Sequence, residues 1–126
     1  MALVGVAGLG TLLSLVASRV EVHGPSMLPT LDEGERLLVR RARRVRPGDL
    51  AVLNDPEMPA RLIVKRVVAV RGRQTDVAGD NPATSRDSRA FGPVDRSAIV
   101  GVAWYRYHPA AQAGRLRRSQ PAELPA

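Results

Sequence analysis

The 126-residue chain contains no cysteine, which excludes disulfides, thiolate metal sites and a cysteine nucleophile. Its two histidines, His23 and His108, are too few for a histidine-based zinc site, so neither a metal nor any other cofactor is expected. The length suits one domain, the 3% aromatic content leaves a core of Val, Leu, Ala and Ile, and the net charge of +7 points to anionic lipid, nucleic acid or acidic partners.

Residues 1–18 carry no charged side chain. At about 1.5 Å per residue, a helix over them would span roughly 27 Å, enough to cross a bilayer core. A single-pass membrane anchor is the reading taken. A buried or interfacial helix is the alternative, and a cleaved signal peptide fits less well because no Lys or Arg precedes the apolar run and no A-x-A site comes after it. Arg19, Arg36 and the cluster Arg40, Arg41, Arg43, Arg44 and Arg46 come after the segment, so the positive-inside tendency favours a cytoplasmic location for the domain beyond residue 18.

From Val20 onward the pattern turns to short strands between turn residues. ERLLVRR over 35–41 reads as a strand, Pro47-Gly48-Asp49 as a turn, and DLAVL over 49–53 as the next strand. NDPEMPA over 54–60 is a loop. RLIVKRVVAVR over 61–71 is the longest β-branched run, with Lys65 and Arg66 set into it. A short strand over 75–78 precedes a polar loop over 81–93, and SAIVGVAWYRY over 97–107 closes the set. The remainder, rich in Ala, Pro and Arg, is expected to be disordered. The organisation expected is a hydrophobic helix over 1–18, a compact, mainly β domain over 19–109, and a tail over 110–126.

Three segments carry chemistry. In HGPSMLPTL, Gly24 and Pro25 force a sharp turn that can expose the Ser26 hydroxyl and aim a backbone N–H at a developing oxyanion, though a serine in a Gly/Pro loop is also commonplace. In LIVKRVV, alternation puts Lys65 on the face of Ile63 and Val67, and Arg66 on the face of Val64 and Val68. A lysine so placed is either snorkelling from an edge or desolvated, and desolvation lowers its pKa toward a usable neutral amine. Arginine cannot play that part, and Lys65 is the single lysine beside 18 arginines. Serine needs a base to act as a nucleophile near neutral pH, and lysine is one known solution. His23, three residues before Ser26, is a competing base. In the third segment, GDNPATSRDSRAFGPV, Ser85, Asp87 and Arg89 alternate along a loop able to hold an amine in place.

In this order, HGPSMLPTL, VKRVVAV and GDNPATSRDSRAFGPV resemble the three signature boxes of the signal peptidase I family (S26) of Ser–Lys peptidases, over roughly residues 20–109. The resemblance implies a compact β domain behind an N-terminal anchor, a serine endopeptidase, and a precursor protein with an N-terminal leader as substrate. It makes Ser26 the nucleophile and Lys65 the general base. Ser85 becomes the hydroxyl that orients the lysine, Asp87 and Arg89 a supporting ion pair, and Asp80 and Asn81 a structural corner. Some members carry a hydroxyl two residues before the nucleophile as a second oxyanion donor. Here Gly24 stands there, leaving the Ser26 backbone N–H, and loss of one donor can cost on the order of 10²–10³ in rate. The chain also lacks the long insertion of the large bacterial members. GPSMLPTL, VRPGDLAVL and WYRYHP are further similar to the maturation proteases of nickel-type superoxide dismutase, whose substrate needs a leader removed before its new N-terminus can bind nickel. A general signal peptidase is the alternative.

A non-catalytic basic protein is the rival class. The cluster over 40–46 and Arg115, Arg117 and Arg118 could meet phosphates of lipid or nucleic acid. With Phe91, Trp104, Tyr105 and Tyr107 the only aromatics, stacking platforms for single strands are nearly absent, and no nucleic-acid partner is expected.

Overall fold

A computed structural model describes residues 3–7, 17–42 and 44–119. It contains strands β1 (Leu3–Ala7), β2 (Ala17–His23), β3 (Arg36–Arg40), β4 (Leu50–Asn54), β5 (Leu62–Arg71) and β6 (Gln74–Ala78), a single helical turn α1 (Ser88–Phe91), then β7 (Val94–Asp95), β8 (Ile99–His108) and β9 (Gly114–Arg115). Short 3-10 turns lie at Pro82–Thr84, Arg96–Ala98 and Ala110–Gln112. The chain is mainly β, as its alternating patterns lead one to expect.

The strands run in the order β1-β2-β3-β8-β4-β5-β6-β7, and β1 also pairs with β5, so six strands close into a ring. Each described pairing is antiparallel. The second half of β5 leaves the ring to pair with β6, which in turn pairs with β7.

This forking buries β4 and β5 on both faces. Leu50, Val52 and Val64 join Val20, Val22, Met27, Leu31, Leu37, Val39 and Ala103 in one apolar cluster. Ala51, Leu53, Ile63 and Val67 join Val77 and Val94 in a second. Adjacent residues of β5 therefore enter different interiors, as the period of two requires. Lys65 and Arg66, consecutive in sequence, are both buried within the sheet.

Two expectations need correction. A helix is expected over 1–18, yet Leu3–Ala7 is extended and pairs with β2 from Leu3↔His23 to Ala7↔Arg19. The physical reason is that β2 and β5 both offer backbone donors and acceptors there, and one strand satisfies both edges. Residues 8–16 of that segment lie outside the described residues. No helix among the described residues is long and apolar enough to cross a membrane.

The disorder expected from residue 110 does not hold over 110–119. Beyond Ala103, where β4 stops pairing with β8, β9 takes over at Tyr105↔Arg115 and Arg106↔Gly114. Leu116 packs against the first cluster, its N–H donates to the Trp104 carbonyl at 2.9 Å, and Arg118 Nε reaches Asp49 Oδ1 at 2.7 Å. Composition points to disorder; an otherwise unpaired strand end supplies the partner that composition does not reveal.

Candidate active site

β5 carries Lys65 into the interior between the second apolar cluster and the polar loop after β6, where its side chain is fully buried. Ser26 is likewise buried, in the turn that leaves β2. Gly24 makes that turn possible: its φ of 86° lies in the left-handed region that residues with a Cβ avoid. Met27 and Leu31 anchor the turn in the first cluster, and the Leu31 N–H donates to the Met27 carbonyl at 2.9 Å.

The two segments meet through side chains 39 residues apart in sequence. Lys65 Nζ lies 3.4 Å from Ser26 Oγ and 2.7 Å from Ser85 Oγ. The amine thus sits between two hydroxyls, in closer contact with that of Ser85.

The loop after β6 sets Ser85. Asp87 and Arg89 form a two-pronged ion pair, Nε to Oδ1 at 2.8 Å and Nη2 to Oδ2 at 2.9 Å, and the Asp87 carboxylate also caps α1 by accepting the Arg89 N–H. The Gly79 N–H donates to the same carboxylate. Asn81 ties this loop to the Ser26 turn, its N–H to the Ser26 carbonyl at 2.9 Å and its Nδ2 to the Pro25 carbonyl at 3.1 Å. Asp80 accepts from Arg66 Nη2 at 2.7 Å and from the Thr30 hydroxyl. Ser26, Lys65, Ser85, Asp87, Arg89, Asp80 and Asn81 therefore converge on one place. His23 turns elsewhere, with Nε2 at 3.2 Å from Glu21 Oε2 on a half-exposed face.

A family description bears on this arrangement. The model of signal peptidase, peptidase S26, matches residues 1–77 and 75–108. The chain belongs to the peptidase S26 family. It is 33% identical over 129 residues to mitochondrial ATP-independent inner membrane protease subunit 1a of Arabidopsis thaliana, covering 81% of this chain and 77% of the relative. Subunit 1b from the same plant is 34% identical, covering 75% and 72%. A protein of Synechocystis sp. named Probable signal peptidase I-1 is 26% identical, covering 80% and 76%.

As an S26 serine peptidase, the chain has an electrostatic setting that bears on its amine. The Lys65 ammonium is held down at about 8, against 10.5, chiefly by burial. The Asp87 and Asp55 carboxylates push it back up, and the Arg89 guanidinium pushes it down. Burial alone would raise Asp87, but the hydrogen bonds and charge of Arg89 win and hold its carboxyl below the usual range. Asp87 is therefore ionised and paired with Arg89, and of the two carboxylates it acts more strongly on Lys65. No group of three or more potential metal-ligating side chains occurs among the described residues.

Three further residues shape the site of this S26 peptidase, and the sequence motifs do not assign them to it. Asp55 is completely buried just past the end of β4, held by Arg61 Nη2 at 3.1 Å, and lies near enough to act on Lys65. Gly79 is the close-approach point: a Cβ there would meet Ser85 Cβ at 2.5 Å and the Ser26 carbonyl at 2.6 Å. Arg66, next to Lys65, is buried with Asp80 and also donates to the Gly48 carbonyl at 2.9 Å. A charge inside an apolar β-branched run is a visible signal for Arg66. Gly79 opens the third segment, GDNPATSRDSRAFGPV, without any role read for it there, and nothing local marks Asp55.

Proposed function

We propose that Ser26 is the nucleophile and Lys65 the general base of this peptidase. The observation that carries the reading is a fully buried lysine amine set between two serine hydroxyls. Neutral Lys65 takes the Ser26 Oγ proton as oxygen attacks the scissile carbonyl, and the same proton then goes to the departing amine nitrogen. A water, deprotonated by the restored neutral amine, hydrolyses the acyl-enzyme. The 3.4 Å spacing is long for a finished hydrogen bond and is usual for a pair that tightens when substrate binds. Ser85 holds the amine, Asp87 and Arg89 hold the Ser85 loop, Asp80 and Asn81 hold the Ser26 turn, and the Ser26 backbone N–H beside Gly24 receives the oxyanion.

The substrate in this reading is a precursor protein whose N-terminal leader is removed, specifically a nickel-type superoxide dismutase precursor, and the chain works at a membrane, in keeping with the inner membrane proteases it is similar to. Support comes from the likeness of GPSMLPTL, VRPGDLAVL and WYRYHP to that group of maturation proteases, and from arginines that favour a cytoplasmic domain. A general signal peptidase is the second reading, favoured by the likeness to the Synechocystis protein.

Co-expression with the dismutase precursor, followed by mass spectrometry of its N-terminus, tests both levels. Leader removal is expected with the wild type, and less than about 5% of it with Ser26→Ala or Lys65→Arg, since arginine does not deprotonate. An intact leader together with cleavage of an exported preprotein would move the substrate to the second reading. Substantial cleavage by Lys65→Arg would remove Lys65 as the base.

A further inference from the structure

The turn carrying Ser26 is held from two sides, and the second hold comes from β8. Antiparallel pairing of β3 with β8 slips between Arg36↔His108 and Leu37↔Arg106, leaving Tyr107 as an extra residue. Such a bulge re-aims the side chains beside it. Arg106 uses two of its guanidinium nitrogens there. Nη1 donates to the Thr30 carbonyl at 3.1 Å and to Glu35 Oε1 and Oε2 at 3.1 and 3.3 Å, while Nε donates to the Gln112 carbonyl at 2.9 Å. Glu35 is buried and its carboxylate also accepts the Asp32 N–H at 2.8 Å. One guanidinium therefore joins the far end of the Ser26 turn, the first residues leading into β3, and the C-terminal segment.

The contact leads onward. The Thr30 carbonyl is held by Arg106, while the Thr30 hydroxyl donates to Asp80, and Asp80 is paired with Arg66, the neighbour of Lys65. The polar chain Arg106, Thr30, Asp80, Arg66 thus runs from β8 to the residue after the amine. We propose that Arg106 is a positioning residue for hydrolysis: it fixes the turn so that Ser26 Oγ stays within reach of Lys65 Nζ, and through Gln112 it couples the C-terminal segment to the reaction. The proposal rests on the reading of Ser26 and Lys65 as the reacting pair.

Arg106→Lys separates positioning from simple neutralisation of Glu35. Lysine keeps the positive charge but, as a point donor, cannot meet Thr30, Glu35 and Gln112 together. The full-length variant, assayed on a fluorogenic peptide spanning the leader junction of the dismutase precursor, is expected to lose about 10-fold or more in kcat with KM within about twofold. Its rising pH limb should stay in place, because the groups around Lys65 are unchanged. Wild-type kcat in Arg106→Lys, or a raised KM at unchanged kcat, would overturn the role. Glu35→Gln is the second variant, since it removes the charge Arg106 neutralises while leaving the Thr30 carbonyl contact. A kcat within about threefold of wild type is expected there, and a tenfold fall would assign the effect to the ion pair instead. Cleavage lost in Ser26→Ala checks the underlying reading separately, so a normal Arg106→Lys overturns the positioning role alone.

Discussion

At Lys65, burial and two carboxylates pull in opposite directions, and burial wins. With a pKa of about 8, roughly one amine in ten is neutral at pH 7 and about half at pH 8. Cleavage should therefore rise with pH through about 8 and level off above it. Asp55→Asn removes a charge that favours the ammonium, so the rising limb should move to lower pH; a pH–rate profile of kcat for the two proteins measures it. A limb displaced upward would mean that Asp55 acts through Arg61 and the loop rather than through its field. The same profile for His23→Ala should match the wild type, as His23 faces Glu21. The pair Ser26 and Lys65 is legible in the sequence because each residue type is unusual where it stands: serine after Gly-Pro, and a single lysine in a β-branched run. Asp55 is not, because an aspartate beside a proline in a polar loop reads as a turn residue, and its burial is decided by packing with distant strands.

Elements show the same division. Strands β3, β4, β5, β6 and β8 fall within two residues of their expected bounds, since alternation and Gly/Pro punctuation fix them locally. The two-residue strands β7 and β9 and the single turn α1 are too short to show any period. Gly79, just past β6, shows how a backbone position can be functional without a side chain. Its place against Ser26 and Ser85 comes from β6 crossing beside β5, which no local pattern records. Gly79→Ala should push the Ser85 loop off the amine. A loss of about 10- to 100-fold in kcat is expected, comparable with Ser85→Ala, while far-ultraviolet circular dichroism stays like the wild type. Additive losses in the double variant Gly79→Ala/Ser85→Ala would show that the glycine acts elsewhere, because two changes on one contact should not add.

For the whole molecule, the closing strands matter more than their length suggests. Residues 110–119 contribute β9, the packing of Leu116 and the Arg118–Asp49 ion pair, and Asp49 also accepts the Arg46 N–H in the turn before β4. Ending the chain after residue 109 should cost about 1–3 kcal/mol, chiefly the burial of Leu116, and lower the thermal midpoint accordingly. An unchanged midpoint would mean that the segment adds nothing to the folded state. Composition misleads over that part of the chain, because Ala, Pro and Arg say nothing about an unpaired strand end elsewhere in the sequence.

The closure of the ring by β1 sets a choice for the N-terminal residues. All five residues of β1 pair with β2, and Leu3 and Val4 pair with β5 as well, so this backbone already has its partners inside the sheet. A bilayer location for residues 3–7 would require this pairing to be given up. Were residues 3–7 to leave the ring, a seam would open from His23 to Arg19 and at Leu62 and Ile63. The backbone groups so exposed would stand two residues before Lys65, at Ile63, and three before Ser26, at His23.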